Sequence, residues 1–314
     1  MAVVGEMKNR KFGTHTQAVA GVIEALLMVA LVSIVISMIQ LIYIPQVMEQ
    51  KEAEHMDEVS NQFSSLKSMI DTQALTGSIA TDAPLSHVPM TSMITLGSRE
   101  LPYFITAAAF GQVSLHQDDN SMIETYLAPL PTKAGLLTSI IYDADNSYFV
   151  DQTYILEGGG IIVAQADGES VMRADPSISI KHLYSDHKIE MSFYLPNIIG
   201  VPGKNISSSS GKCFIRTNYS SYQTYPDNYI YYPDGYILIK SKYLNAWNES
   251  LNRLLGEEIK NGYVNVTIGP HPTQGIDVVL VSFNKKSPPD PNLILDLKLT
   301  VVNIFVQVGP GWVQ

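Results

Sequence analysis

Residues 18–44 read AVAGVIEALLMVALVSIVISMIQLIYI, and Glu24 is the only member of the stretch that carries charge at neutral pH. About 20 apolar residues in a helix cross a hydrocarbon layer roughly 30 Å thick, so this stretch is long enough to span a bilayer with some tilt. A helix packed on a soluble domain carries a polar stripe, and this one has none. The run also exceeds the apolar region of an ordinary secretory signal peptide, which predicts a retained anchor rather than a removed leader.

The flanks set its direction. Lys8, Arg10 and Lys11 precede it, while Glu49, Lys51, Glu52 and Glu54 follow it. Cytoplasmic flanks hold the Lys/Arg excess, so the N-terminus is expected in the cytoplasm and the rest outside, as a single-pass protein of the cell membrane. Residues 1–17, polar and basic, read as a cytoplasmic leader.

The order Ala18-Val19-Ala20-Gly21-Val22-Ile23-Glu24, continued by Ala25-Leu26-Leu27-Met28-Val29-Ala30, resembles the N-terminal segment of archaeal type IV pilin-like proteins. In that family an Ala-Val-Ser-x-Val-Ile pattern opens a long apolar helix. The similarity extends into residues 51–75 and, more weakly, into 154–176 and 243–268. It implies a pilin-like membrane helix bearing a β-rich outer domain, with other pilin-like subunits or further copies of the chain as partners. It further implies cleavage by a prepilin-type signal peptidase, with Glu24 meeting the freed amino terminus of a neighbouring subunit. The sequence departs from the family at the cleavage site: Thr16 and Gln17 stand where a basic-plus-small pair is expected, and Lys11-Phe12-Gly13 is the nearest approximation.

Within the membrane run, Gly21 and Ala25, and then Ser33 and Ser37, are spaced four apart and share a helical face. Small residues let helices approach closely in lipid, so this face and Glu24 are the candidate assembly residues. An acid in hydrocarbon usually has a partner, although Glu24 lies near enough to the cytoplasmic end to reach water instead.

Pro45 is expected to kink or interrupt the helix, because proline removes a hydrogen bond and crowds the preceding turn. The helix then resumes over residues 45–76. Met56, Val59, Phe63, Leu66 and Ile70 follow the three-four spacing of an amphipathic seam. That seam packs either on its own outer domain or on other copies in a filament. Thr76-Gly77 marks the expected helix end and 77–95 the linker.

From residue 96 to 314 the pattern turns to short β-type runs broken by turn residues. They are expected at 103–107, 136–142, 147–156, 160–165, 177–181, 188–195, 236–240, 263–268, 276–283 and 293–308. Leu244, Trp247, Leu251, Leu254 and Leu255 fall on one helical face, which predicts one amphipathic helix over 243–258. The expected fold class is α+β: a long membrane and stalk α-helix, then a mainly antiparallel β-sandwich ectodomain of one or two sheet pairs, divisible into two subdomains.

Composition limits function. A formal net charge of −10 argues against a nucleic-acid partner. One cysteine, Cys213, excludes an intramolecular disulfide and a four-cysteine zinc site. His182, Asp186, His187 and Glu190 read as a solvated strand turn rather than a metal cluster, and Asp143-Ala144-Asp145-Asn146 lacks the glycine and distal glutamate of a calcium loop. Gly158-Gly159-Gly160 has turn rather than phosphate-loop spacing. No Gly-x-Ser-x-Gly elbow or His-Glu-x-x-His occurs. No catalytic residue, metal or cofactor is assigned, and the chain is read as a non-enzyme.

Two surface features remain. Asn205, Asn218, Asn248 and Asn265 each open an N-x-[ST] sequon, an acceptor for N-linked glycan in an exported protein. Tyr219 to Tyr243 is tyrosine-rich, and Tyr222, Tyr225, Tyr229 and Tyr232 form a candidate contact surface. The expected function is a pilin-like structural protein of the archaeal envelope that assembles into, or decorates, a filament and mediates adhesion. A non-polymerising, membrane-anchored binding module for glycan or peptide is the alternative, and an anchored hydrolase is a third.

Overall fold

The computed structural model of the chain describes residues 16–79, 88–98, 110–117, 121–126, 133–166, 168–183, 188–225, 235–271, 274–283 and 294–310. The chain divides into two compact units, Met1–Gln50 and Lys51–Gln314. The boundary falls inside a helix and not at the expected stalk limits.

The described residues of the first unit, from Thr16, are helical. Helix α1 (Thr16–Met38) runs into a π-helical segment, Ile39–Tyr43, and helix α2 (Ile44–Ile79) follows. The π-segment answers to Pro45. A proline has no N–H to give and its ring presses on the carbonyl four residues back, and a widened turn relieves that pressure. Accordingly the Ile44 N–H donates to the Ile39 carbonyl, five residues earlier.

From Lys51 onward α2 belongs to the second unit. Met56, Val59, Phe63, Leu66, Ile70 and Ala74 are buried in one apolar cluster with residues of the sheets. Each such large side chain contributes about 1.5–3 kcal/mol by leaving water. The helix does not stop at Thr76-Gly77 but continues to Ile79. Gly77 is there for closeness: a Cβ on it would lie 2.2 Å from the Tyr219 ring. The expected linker is likewise shorter than 77–95, since Met90–Thr95 forms strand β1.

The strands that follow are β2 (Phe110–His116), β3 (Met122–Tyr126), β4 (Lys133–Leu136), β5 (Ser139–Asp145), β6 (Gln152–Glu157), β7 (Gly160–Gln165) and β8 (Val171–Ala174). Then come β9 (Ser177–Leu183), β10 (Lys188–Gly200), β11 (Ile206–Ser209), β12 (Lys212–Tyr225) and β13 (Tyr236–Lys240). After α3 (Leu244–Leu254) and α4 (Gly256–Lys260), the chain ends in β14 (Val264–Pro270), β15 (Asp277–Phe283) and β16 (Ile294–Val308). The expected run 103–107 lies outside the described residues. The single helix expected over 243–258 is two, because Leu255 leaves helical geometry at φ −96° and ψ 11° and glycine, a weak helix former, follows it.

Among the described residues the strands form three sheets, giving the expected α+β class. The first has the order β1-β12-β16-β10-β9, the second β11-β2-β5-β6-β7-β8, and the third β14-β15-β13-β3-β4. Pairing is antiparallel except between the two long central strands β10 and β16, which run parallel from Lys188 opposite Ile294 to Gly200 opposite Val306.

These two strands pass through both hydrophobic cores. Met191, Phe193 and Leu195 of β10, with Leu297, Leu299 and Val301 of β16, join the core that holds α3 and the third sheet. Ile198, Val302, Ile304, Val306 and Val308 join the core under α2. Side chains alternate faces along a strand, so the adjacent pair Val301-Val302 marks where the buried face changes from one side of the sheet to the other. The second sheet lies between the two cores: Ile155 and Ile162 enter one, Tyr142, Tyr154 and Leu156 the other.

The β6–β7 hairpin turns on Gly158 and Gly159, at φ 56° and 79°. Two successive positive φ values make the tight turn whose twist suits a hairpin. The turn is buried, and a Cβ on Gly158 would come within 2.9 Å of Trp247.

Candidate functional site

The anchor is the most exposed apolar surface in the structure. Residues 19–43 are exposed throughout, including Val22, Leu26, Leu31, Ile34 and Leu41. One helix among the described residues is long and apolar enough to cross a membrane. Gly21, Glu24, Ala25, Ser33 and Ser37 all lie on its exposed surface. The Ser37 hydroxyl donates to the Ser33 carbonyl at 2.8 Å, so it is satisfied within its own helix, as a polar group in an apolar medium requires.

The body is clasped onto α2 by two polar contacts that sequence reading missed. Glu52 is fully buried. Its carboxylate accepts the backbone N–H of Ser147 at 3.1 Å and those of Tyr148 and Phe149 at 2.7 Å each. Successive N–H groups in the β5–β6 loop thus converge on one anion, as in an anion-binding nest. One turn later His55 Nε2 lies 3.0 Å from the Tyr142 hydroxyl, which donates to the Leu96 carbonyl at 3.1 Å. Burial lowers the His55 pKa below its ordinary value, against the opposing pull of Glu58 and Glu52. A string of charged residues on an amphipathic helix reads as solvated, which is why neither contact was visible in the sequence.

The third sheet holds a second buried cluster. Lys240 Nζ lies 2.6 Å from Glu124 Oε1, while the Tyr126 hydroxyl donates to Glu124 Oε2 at 2.6 Å and His271 Nε2 sits 3.5 Å from the same oxygen. Burial by itself raises the Glu124 carboxyl, but the Lys240 and Tyr126 hydrogen bonds outweigh it and hold the carboxyl below its usual value. The hydrogen bond to Glu124, with burial, pushes the Tyr126 phenol up to about 12. Each charge is compensated by a hydrogen-bonded neighbour, which is the condition for keeping a buried ion pair. Glu124 stands beside Thr125 in β3 and Lys240 ends the apolar run of β13, places where a charge reads in sequence as the solvated end of a strand.

Two clefts flank the β6–β8 region. One, of about 470 Å³, is bounded by Met56 and Asp57 of α2 together with Phe149, Gln152, Tyr154 and Arg173. The other, of about 540 Å³, is mixed, with Asp143, Asp151, Glu169, Lys242, Tyr243 and Asn245 on its walls beside Ile141, Ala164 and Ala166. Two of its carboxylates are engaged: Thr153 donates to Asp143 at 2.8 Å, and the Asn146 N–H to Asp151 at 2.9 Å. Planar amides, carboxylates and a phenol suit hydroxyl-bearing ligands better than apolar ones.

The remaining sequence candidates scatter. Tyr222 is 38 % exposed, but Tyr219 is buried and Tyr225 packs against a core, while Tyr229 and Tyr232 lie outside the described residues. His182 pairs with Ile189 and Lys181 with Glu190, so His182 and Glu190 point to opposite faces of their sheet; Asp186 and His187 lie outside the described residues. No group of three or more His, Cys, Asp or Glu among the described residues is arranged to hold a metal. Cys213 is buried, and burial pushes its thiol up, away from nucleophilic character. The sequon residues divide: Asn205 and Asn265 are exposed, Asn218 and Asn248 partly buried. Comparison with protein-family models, with curated proteins and with solved structures finds no match to this chain.

Proposed function

We propose that this chain is a pilin-like structural protein of the archaeal cell envelope, anchored by α1 and presenting its β-rich body outside the cell for filament assembly or surface contact. The observation that carries the reading is the unbroken exposure of residues 19–43, an apolar surface that water does not tolerate and a bilayer does. The body suits a structural role, since the buried Glu52, Glu124 and Lys240 are engaged in ion pairs or hydrogen bonds and Cys213 is buried. The Gly21, Ala25, Ser33 and Ser37 face, with Glu24, is the surface for neighbouring helices.

The mass of the native N-terminus tests it. A new terminus between Gly13 and Ala18 in a protein that resists alkaline extraction from membranes supports an assembling subunit. Recovery of the full chain in the soluble fraction overturns the reading. The cleft beside Tyr243, with hydrogen-bonding groups among apolar walls, favours a second reading, a solitary anchored module that binds glycan or peptide. An intact leader, together with perturbation of Tyr243 or Asn245 NMR signals by added oligosaccharide, supports that one instead.

A further inference from the structure

We infer that Asn205 and Asn265 are N-glycosylation sites and that Asn218 and Asn248 are not. The inference rests on the reading above in one respect: the body must reach the non-cytoplasmic side. All four residues satisfy the same sequence rule, so sequence cannot rank them; their places in the fold can.

Asn205 is exposed and directly precedes β11, an edge strand of the second sheet. It follows a turn in which Lys204 donates to the Val201 carbonyl and Gly203 sits at φ +77° with open space around it. Asn265 is exposed on β14, an edge strand of the third sheet, between the buried Val264 and Val266. Alternation puts Thr267, the sequon hydroxyl, on the same outward face, and it too is exposed. In both cases amide and chain lie at a rim that a bulky enzyme and its sugar can reach.

The other two are closed. Asn218 lies in the middle of the long strand β12, opposite Phe305 of β16 and one residue past the end of the β1 pairing at Thr217, and it is partly buried. Its Oδ1 is sealed from solvent and has no hydrogen-bond partner among the described residues. Asn248 is helical, and its Oδ1 accepts from Asn252 at 3.1 Å. Its sequon hydroxyl, Ser250, is fully buried and donates to Asp175 at 2.7 Å.

The reaction needs one co-reactant, a lipid-linked oligosaccharide. Asn Nδ2 attacks the anomeric carbon, the N–C bond forms, and the C–O bond to the lipid phosphate breaks. The phosphate leaves with the bonding electrons, the amide proton passes to solvent, and nothing is oxidised. Among the described residues each site lies at an edge strand, the part of a sheet most open to unwanted pairing, and a glycan there shields that edge.

The test is expression of the full chain in an N-glycosylating host, with an acceptor sequon appended after Gln314 and site occupancy read by peptide mass spectrometry on the folded protein. Glycan on the tail, Asn205 and Asn265, with Asn218 and Asn248 bare, is the expected result. An occupied tail with both Asn205 and Asn265 bare overturns the inference while leaving the proposed orientation standing, as does glycan on Asn218 or Asn248. A bare tail overturns the orientation and the inference together. Asn205→Gln and Asn265→Gln each remove one glycan's mass and, combined, leave the body unglycosylated.

Discussion

Helix α1 and the Lys51-to-Ile79 part of α2 are consecutive stretches of the same secondary structure with opposite relations to solvent. Residues 19–43 of the chain are exposed throughout and apolar but for Glu24, Ser33, Ser37 and Gln40; the later stretch turns Met56, Val59, Phe63, Leu66 and Ile70 inward, with Glu52 and His55 buried alongside them and most of its other charges outward. Backbone hydrogen bonds are satisfied in both, so what separates them is where apolar surface escapes water. In α1 it is left exposed on a helix long and apolar enough to cross a membrane, and in α2 it is buried in a core made by sheets contributed from across the chain. Substitutions of one kind must therefore give different readouts in the two stretches.

The largest difference is expected from truncation. Phe63→Ala empties a site where the ring meets Tyr154 at 5.7 Å and Tyr142 at 6.5 Å. Such a change costs about 3–5 kcal/mol of body stability, measured by chemical denaturation of the full chain in detergent. Leu31→Ala, on α1, is expected to leave that transition unmoved. Equal losses from both would mean that α1 is a core helix.

Charge reverses the comparison. Leu31→Asp places a carboxylate near the middle of the anchor, at a cost of about 2.5–3.5 kcal/mol for membrane insertion. The expected outcome is reduced retention after alkaline extraction with an unchanged denaturation midpoint for the body. A fall in the midpoint with full retention would oppose the anchor.

How much of this was legible follows from which physics acts locally. The anchor, the α2 seam and the strands Gly160–Gln165 and Tyr236–Lys240 were readable because the period of apolar residues reports directly on where they are buried. Strand β12 was missed because its run carries many Thr, Asn, Ser and Tyr residues and hides Cys213, Ile215 and Tyr219 among them. The phase change at Val301-Val302 was present in the letters, yet its meaning depends on there being two cores to serve. Glu52, Glu124 and Lys240 were not legible at all. A charge sealed by partners many residues distant looks, in one dimension, like a charge facing water.

Glu52 sharpens the comparison at the level of a single carboxylate. Glu24 is exposed on α1, whereas Glu52 on α2 gathers three backbone N–H groups. Glu52→Gln keeps the shape but loses the charge and turns an N–H₂ toward donors. A loss of about 1.5–3 kcal/mol is expected, the range for hydrogen bonds to a charged group, with amide exchange accelerated first at Ser147 to Phe149. Glu24→Gln should leave body stability where it was. If Glu52→Gln did the same, the loop would be held by something other than this carboxylate.

The smallest effect is a dependence on pH that α2 has and α1 lacks. Burial lowers the His55 pKa in the folded body below the ordinary 6.5, so between those two values the unfolded chain binds more protons than the folded one. Stability therefore rises with pH through that window; it is complete above about 6.5 and drains away as acid takes the solution down through the folded value. Each unit of separation between the two values is worth about 1.4 kcal/mol. Glu124, held below its usual 4.5, loses its contribution only in stronger acid, so the two limbs are separable. The groups near His55 are Glu52, Glu58 and the Tyr142 hydroxyl, and the two carboxylates oppose the shift without reversing it. His55→Gln should flatten the pH dependence of the denaturation midpoint in the window just below the ordinary histidine value while leaving the acid limb below it, whatever that variant's absolute stability. If the upper limb persisted unchanged in the variant, the proton would have to be bound elsewhere and the clasp beside Tyr142 would have no part in it.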